Sequence, residues 1–218
     1  MKRLYIVVEG QTEQDFVKNL IVPYLQNFGI YSVTPVLIRT SRSGRGGMVN
    51  YQHLYNTIKM LLTSSQNDFM VTTFIDFFRL PDTMPNFVDC MKISDKHLCV
   101  EALEAAINKS VNDVRFFSYI QLHEFEALLF SNNNGFEYYF SDDIAKETAL
   151  IISCYENPED INSSPEGAPS KRLLAIKPDY NKVLEGNLIA LEIGIKSILE
   201  KCPRFAEWVN RIVEKCKE

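Results

Sequence analysis

Histidine is scarce in this chain, with three among 218 residues, and the five cysteines (Cys90, Cys99, Cys154, Cys202 and Cys216) are odd in number, scattered and never paired at metal-ligand spacing. Zinc is therefore a minor option, and reduced thiols in a cytoplasmic protein are the expected state. No apolar run approaches the roughly 20 residues needed to span a bilayer, and a strand begins directly after Met1-Lys2-Arg3, so the sequence predicts neither a membrane segment nor a targeting leader. Positive charge is not in excess. The net charge of -5 gives no general attraction for nucleic acid or anionic membrane, so a polyanion would need a local basic patch or a metal to hold it. Phosphate-loop and dinucleotide motifs are missing, since Gly44-Arg45-Gly46-Gly47 lacks the following Lys-Ser/Thr and no Gly-x-Gly-x-x-Gly opens the first helix, which disfavours ATP or NAD. No Ser or Cys occupies a strand-to-helix elbow, so a nucleophile triad cannot be assembled.

What is present is globular in texture: 46% apolar, 11% aromatic, nine glycines and nine prolines, with length for one substantial core. Residues 3–8 are apolar without alternation, as in a strand buried on both faces. Phe16, Val17, Leu20, Ile21, Tyr24, Leu25 and Phe28 then recur with helical period, with Thr12 as the expected cap, Asp15 completing a capping box and Gly29 as the stop. Val33–Ile38 reads as a second strand, residues 39–47 as a loop with three arginines and three glycines, residues 51–62 as a helix capped by Asn50, and residues 69–75 as a third strand. This βαβαβ pattern predicts an α/β fold with a mainly parallel sheet flanked by helices. A proline-bearing loop over 77–85, a helix over 96–109 with Leu98, Leu103, Ala106 and Ile107 inward, a strand over 114–122 and a helix opening at His123 complete the core, expected to span 1–130. Residues 131–169 read as an insert or helical cap with a helix near 142–154, and 170–218 as C-terminal helices near 170–176, 187–200 and 203–215.

The candidate chemistry lies where apolar strands run out. Glu9 follows the first strand, Asp76 the third, and His123 and Glu126 the fourth, and in an open parallel sheet those carboxyl ends share one edge. Acids meeting there would repel one another unless a cation neutralised them, and Mg²⁺ or Mn²⁺ prefers carboxylate oxygens and water. On a helix, His123 and Glu126 would share a face while Glu124 pointed elsewhere, which favours Glu126 over Glu124. His123 serves equally well as a helix cap or as a partner orienting a carboxylate, and Glu9-Gly10 as a simple turn. Arg39, Arg42 and Arg45, with Arg79, could reach a phosphodiester backbone or form a solvated basic surface. Lys171 and Arg172 form a second basic cluster at a helix start that would itself attract an anion.

Val7-Val8-Glu9-Gly10-Gln11-Thr12-Glu13, the Arg39 to Gly47 loop, Thr72-Thr73-Phe74-Ile75-Asp76-Phe77-Phe78 with Leu80-Pro81, and Gln121 to Phe130 together resemble the bacterial DUF4276 family over nearly the whole chain. That family is similar to the Toprim fold of topoisomerases, primases and OLD-type nucleases. The resemblance implies that Glu9 matches the first Toprim acid, which positions Mg²⁺ and takes part in proton transfer, and that Asp76 matches the leading Asp of the Asp-x-Asp motif. The chain departs from that motif at position 78, which is Phe, leaving Asp82 or Glu126 to complete a metal set. The reaction implied by the resemblance is metal-dependent phosphodiester hydrolysis of DNA or RNA, with Glu9, Asp76 and Glu126 on the metal and the arginines on phosphates. A separate ATPase partner is implied too, in a setting such as phage or plasmid defence, and a homo-oligomer is compatible with the sequence.

Two other functions accommodate the same residues. A nucleic-acid-binding or ATPase-binding module without a working metal site is suggested by Phe78 and the acidic net charge. An acid-base enzyme acting on a small phosphorylated ligand would need a closed pocket, for which residues 131–169 could be the cover.

Overall fold

The computed structural model describes residues 2–40, 47–63, 68–161 and 167–217. Its centre is an all-parallel sheet. The first strand, β1 (Arg3–Val8), leads into a helix that begins as α1 (Gln11–Phe16), widens to a π turn over Val17–Ile21 and ends as α2 (Val22–Gln26). Pro23 lacks an N–H and crowds the preceding turn, which accounts for the widened helix just before it. Next come β2 (Val33–Leu37), α3 (Tyr51–Leu62) and β3 (Phe69–Asp76), giving the order β2-β1-β3-β4 once β4 (Phe116–Phe117) is added. Pro35 is tolerated because β2 is an edge strand, whose outer side needs no donor.

The register places Leu4 beside both Val33 and Met70, and Val8 beside both Leu37 and Phe74. The chain moves from β1 outward to β2 and then returns to β3 on the other side of β1. The topological switch point therefore falls between β1 and β3, where ligands collect in open α/β sheets. Alternation along the strands feeds two apolar clusters. Leu4, Ile6, Val8, Met70 and Phe74 face one that includes Phe16, Tyr119, Phe205 and Trp208; Val7, Phe69, Val71 and Ile75 face the other, with Leu54, Ile58, Leu103 and Ile107. In the first cluster Trp208 stacks on Tyr119 and Phe74 at 4.7 and 5.4 Å, and its indole N–H donates to Thr72 Oγ1 at 3.0 Å, so a buried polar group finds its partner.

Several expectations from sequence need correction. The first helix is capped at Gly10, whose N–H donates to the Glu13 carboxylate at 2.9 Å, whereas Thr12 is buried inside the helix. The strand expected over 114–122 is two short pieces, β4 and β5 (Ile120–Gln121), both parallel to β3. Between them the Thr73 hydroxyl takes the place of the ladder, accepting from Tyr119 N at 2.8 Å and donating to Tyr119 O at 2.7 Å. Val114 is 94% exposed, outside any strand. After the loop that carries α4 (Phe87–Cys90), α5 (Lys96–Val111) is capped by Asp95 and turns Cys99, Val100, Leu103, Ile107 and Val111 inward, while Leu98 faces solvent.

The helix expected to open at His123 starts late: α6 spans only Glu126–Leu129, because His123 has a left-handed backbone, φ 66°. Residues 131–153 include α7 (Asn134–Tyr139), which the sequence reading did not anticipate, and α8 (Asp142–Ser153), which it did. Phe136 and Ile161 join the first apolar cluster. The remaining helices are α9 (Pro169–Ile176), a π turn over Lys182–Gly186, α10 (Asn187–Lys201), kinked at Gly194, and α11 (Pro203–Lys217). Among the described residues no helix is long and apolar enough to cross a membrane. All five cysteines are free thiols, Cys154 exposed and the other four buried.

Helix α7 meets α10 at Gly135, where an added Cβ would stand 2.6 Å from the Ile189 carbonyl oxygen. Gly135→Ala should therefore cost about 1–3 kcal/mol through overpacking. Urea unfolding at neutral pH would measure it, and an unchanged midpoint would mean the two helices are free to separate.

Candidate active site

Because β1 and β3 are adjacent and parallel, Glu9 and Asp76 emerge side by side at the switch point. The carboxyl edge then gathers two more acids. Glu13, four residues after Glu9, turns back from the first turn of α1, and Glu126 enters from the first turn of α6. At their centre is the ammonium of Lys182, from the π turn that leads into α10. Its Nζ lies 3.1 Å from Glu126 Oε2, 3.2 Å from Asp76 Oδ2 and 3.4 Å from Glu13 Oε1. It also sits 5.8 Å from the centre of the Phe125 ring, and the Phe125 backbone N–H donates to Asp76 Oδ1 at 2.9 Å. Asn181 fixes the turn by accepting from Leu184 N.

The acids occupy two depths. Glu13 and Glu126 are buried at 4% and 0% exposure, whereas Glu9 and Asp76 line a cleft of about 240 Å³ with Phe78, Arg79, Glu124, Ser170, Lys171 and Lys182. Glu126 makes its ion pair off-axis, so neither of its oxygens has a hydrogen-bond partner although both are buried. Glu9 Oε1 accepts a long bond, 3.4 Å, from Met48 N. Burial, reinforced by the charges of Asp76 and Glu13, pushes Glu9 up to about 7. Burial likewise raises Glu126 to about 7 despite the opposing pull of Lys182. Glu13 is raised by burial and by Asp76. Burial pulls Lys182 down, but Asp76, Glu126 and Glu13 together drive it above its ordinary value, so it stays charged.

Sequence reasoning placed Glu9, Asp76 and Glu126 here, and the structure brings them to one edge. Glu124, expected to point elsewhere, lines the cleft and accepts from Ser170 N and Oγ at 3.0 and 2.9 Å. His123 does not share a helical face with Glu126, because its left-handed residue precedes the helix; it packs edge-on against Phe77, and burial lowers it to about 4, keeping it neutral. Asp82 is exposed in the following turn and does not line the cleft. Arg79 and Lys171 stand at the cleft rim, both exposed. Arg172 turns away, donating to the Gly167 carbonyl and the Tyr155 hydroxyl. Arg39 is exposed beyond β2, its N–H donating to Thr57; Arg42 and Arg45 lie outside the described residues. The far end of that loop returns to the site, with Gly47 N donating to the Glu9 carbonyl at 3.2 Å.

Lys182 and Glu13 were missed. Glu13 carried a signal, since Glu-x-x-x-Glu across a strand end and the following helical turn puts both carboxylates near the sheet edge. Lys182 carried none, being 106 residues from Asp76 in a segment without helical period.

A divalent ion would find hard oxygen donors here in excess, four carboxylates against one ammonium. Among the described residues no three acidic, histidine or cysteine side chains form a ready-made metal group. Mg²⁺, however, usually keeps several waters and takes only one or two protein carboxylates, a role that Glu9 and Asp76 on the cleft wall suit.

Among known protein families, the one described as "Domain of unknown function (DUF4276)" matches residues 8–213. No curated protein matches. Among solved structures, the C-terminal region of the Burkholderia pseudomallei OLD protein is similar at 15% identity and a TM-score of 0.45, over 98% of this chain and 99% of that one. The corresponding region of the Xanthomonas campestris pv. campestris OLD protein is similar at 13% identity and a TM-score of 0.40, over 96% and 97% of the two chains. Both likenesses are too distant to assign a residue or a reaction.

The raised acids fix a pH dependence. An ordinary glutamate titrates near 4.5, so between about 4.5 and 7 the folded chain holds protons that the unfolded chain has released, and stability falls as pH rises through that window. Lys182→Met should deepen this fall. Its cost at pH 8 is expected at roughly 3 kcal/mol, the low end for breaking a buried ion pair because a third of Lys182 is exposed, and much less at pH 5. Denaturant unfolding at the two pH values would test it; an equal cost at both would show that Lys182 does not neutralise these acids.

Proposed function

The chain belongs to the DUF4276 family, and for this member of it we propose a divalent-metal-dependent phosphodiester hydrolase acting on nucleic acid. The observation that carries this reading is the excess of carboxylate at the switch point, where Glu9, Asp76, Glu13 and Glu126 face one ammonium. Glu9 and Asp76 would hold Mg²⁺ or Mn²⁺ on the cleft wall. Such an ion, once bound, supplies Lewis-acid activation of a water and of the scissile phosphate.

The chain's own residues do the remainder. Lys182 offsets part of the charge of Glu13, Asp76 and Glu126 and, being one-third exposed on the cleft side, presents positive charge to a phosphoryl oxygen. Arg79 and Lys171 at the rim hold the flanking phosphates, and Arg39, exposed beyond β2, is a further cation for the same strand. Glu9, on the cleft wall, is placed to take the proton from an attacking water, the role that the family resemblance gives to the acid after the first strand. Glu124 orders the start of α9 through Ser170 and thereby places Lys171. A separate ATPase subunit, implied by resemblance to OLD-type nucleases, would supply energy that this chain has no phosphate loop to harvest.

A second reading has its own support. Lys182 already stands among the acids, as it would in a binding module whose metal has been replaced by an internal cation.

Titration of Mn²⁺ into wild type, Glu9→Ala and Asp76→Ala, beside cleavage of single- and double-stranded oligonucleotides, decides between them. Wild type should bind the metal, and each variant should lose metal affinity and cleavage by more than roughly 100-fold, beyond what loss of a merely orienting group costs. Metal binding that survives both substitutions would sink the hydrolase reading.

A further inference from the structure

Beside the carboxylate cleft is a second cavity, of about 190 Å³, lined by Phe77, Phe78, Arg79, Leu80, Phe87 and Met91. We propose that it receives one unstacked base of a single-stranded nucleic acid whose backbone lies in the neighbouring cleft; this rests on the phosphodiester reading above and names its substrate class.

The two cavities share a wall. Phe78 and Arg79 line both, so a ligand that fills one emerges directly into the other. The shared residues carry the two chemistries a nucleotide needs, a ring for the base and a guanidinium for the adjacent phosphate. The Arg79 guanidinium lies over the Phe78 ring, 5.2 Å from its centre, and both surfaces stack on bases. The rings are half-buried and, among the described residues, neither Phe78 nor Phe87 stacks on another aromatic ring, while Phe77 is braced by His123. The cavity is smaller than the roughly 300–1,000 Å³ of a site for a drug-sized molecule, which suits a single flat ring system.

The backbone holds this wall in an unusual form. Arg79 has φ 63°, a left-handed conformation uncommon for its type, and the turn is pinned by Phe78 N donating to the His123 carbonyl at 2.7 Å. The left-handed turn sets consecutive side chains, Phe78 and Arg79, on the one wall. A base inside duplex is stacked on both faces and cannot enter, so a single strand or a frayed end is the occupant that fits. Phe78 thereby acquires a role: at the position where the Toprim motif would have a second Asp, this chain places a stacking surface.

The test is fluorescence anisotropy with a short labelled oligothymidylate, and with its duplex, in Ca²⁺. Wild type should bind the single strand more tightly than the duplex. Phe78→Leu keeps an apolar side chain of similar reach without a ring and should weaken single-strand binding about 5- to 150-fold, the range for losing one stacked base, while Phe78→Trp should retain it. Phe87→Leu, on a different element, should weaken it in the same direction and stands in if Phe78→Leu does not melt like wild type. Equal affinity for both strands, or leucine variants that bind as wild type, overturns the base pocket; Glu9-dependent cleavage that persists beside that result leaves the hydrolase reading intact. No oligonucleotide binding and no Mn²⁺ binding by wild type would overturn both.

Discussion

One ammonium stands among four carboxylates at the carboxyl edge of the sheet, and the surrounding structure is arranged around that imbalance. Carboxylates this buried cannot all ionise without a nearby cation, because desolvation and mutual repulsion both favour the protonated form. Lys182 offsets part of that cost. To reach the acids it must be carried back from the C-terminal third of the chain, and the π turn that carries it continues directly into α10, which packs on α7 and on the first apolar cluster. An electrostatic requirement at one edge thus ties the last helices to the first strand.

The same requirement explains the local geometry. The Glu13 carboxylate accepts from Gly10 N, which both caps α1 and holds Glu13 toward Lys182; a Cβ at position 10 would come within 3.0 Å of that carboxylate. Asp76 is split between two partners, with Oδ1 on Phe125 N and Oδ2 on Lys182. Its satisfied hydrogen bond contrasts with Glu126, whose oxygens find only an off-axis ion pair. Glu13 and Glu126 thus meet Lys182 from below, Glu9 faces the cleft, and Asp76 does both.

How much of this was legible in the sequence depends on the range of the interactions involved. The β1 and β3 strands announced themselves by unbroken apolar runs, and their parallel pairing put Glu9 and Asp76 at one edge by topology alone. Asn50 as a cap was equally readable, since the bond from His53 N spans three residues. The strand over 114–122 misled because its apolar run is real but its middle pairs through the Thr73 hydroxyl instead of through the backbone. His123 misled for a related reason: a helical reading from His123 onward assumes helical φ at every step, and one left-handed residue removes the shared face. Lys182 was invisible because nothing local demands it; only the assembled acids do.

The departure at position 78 belongs to this electrostatic balance. Glu9, Glu13, Asp76 and Glu126, when ionised, leave three negative charges uncompensated by Lys182, which adds to the burial that raises Glu9 and Glu126 to about 7. An aspartate at 78, on the same cleft wall, would add a further charge without adding a cation. A phenylalanine there adds none, and it gives the rim an aromatic face under Arg79. A divalent ion would offset two of those three charges, whereas a further acid at 78 would leave the group around Lys182 one charge more negative. The replacement that looks like the loss of a ligand would, under the proposed function, give up a metal contact in exchange for an aromatic one to the strand.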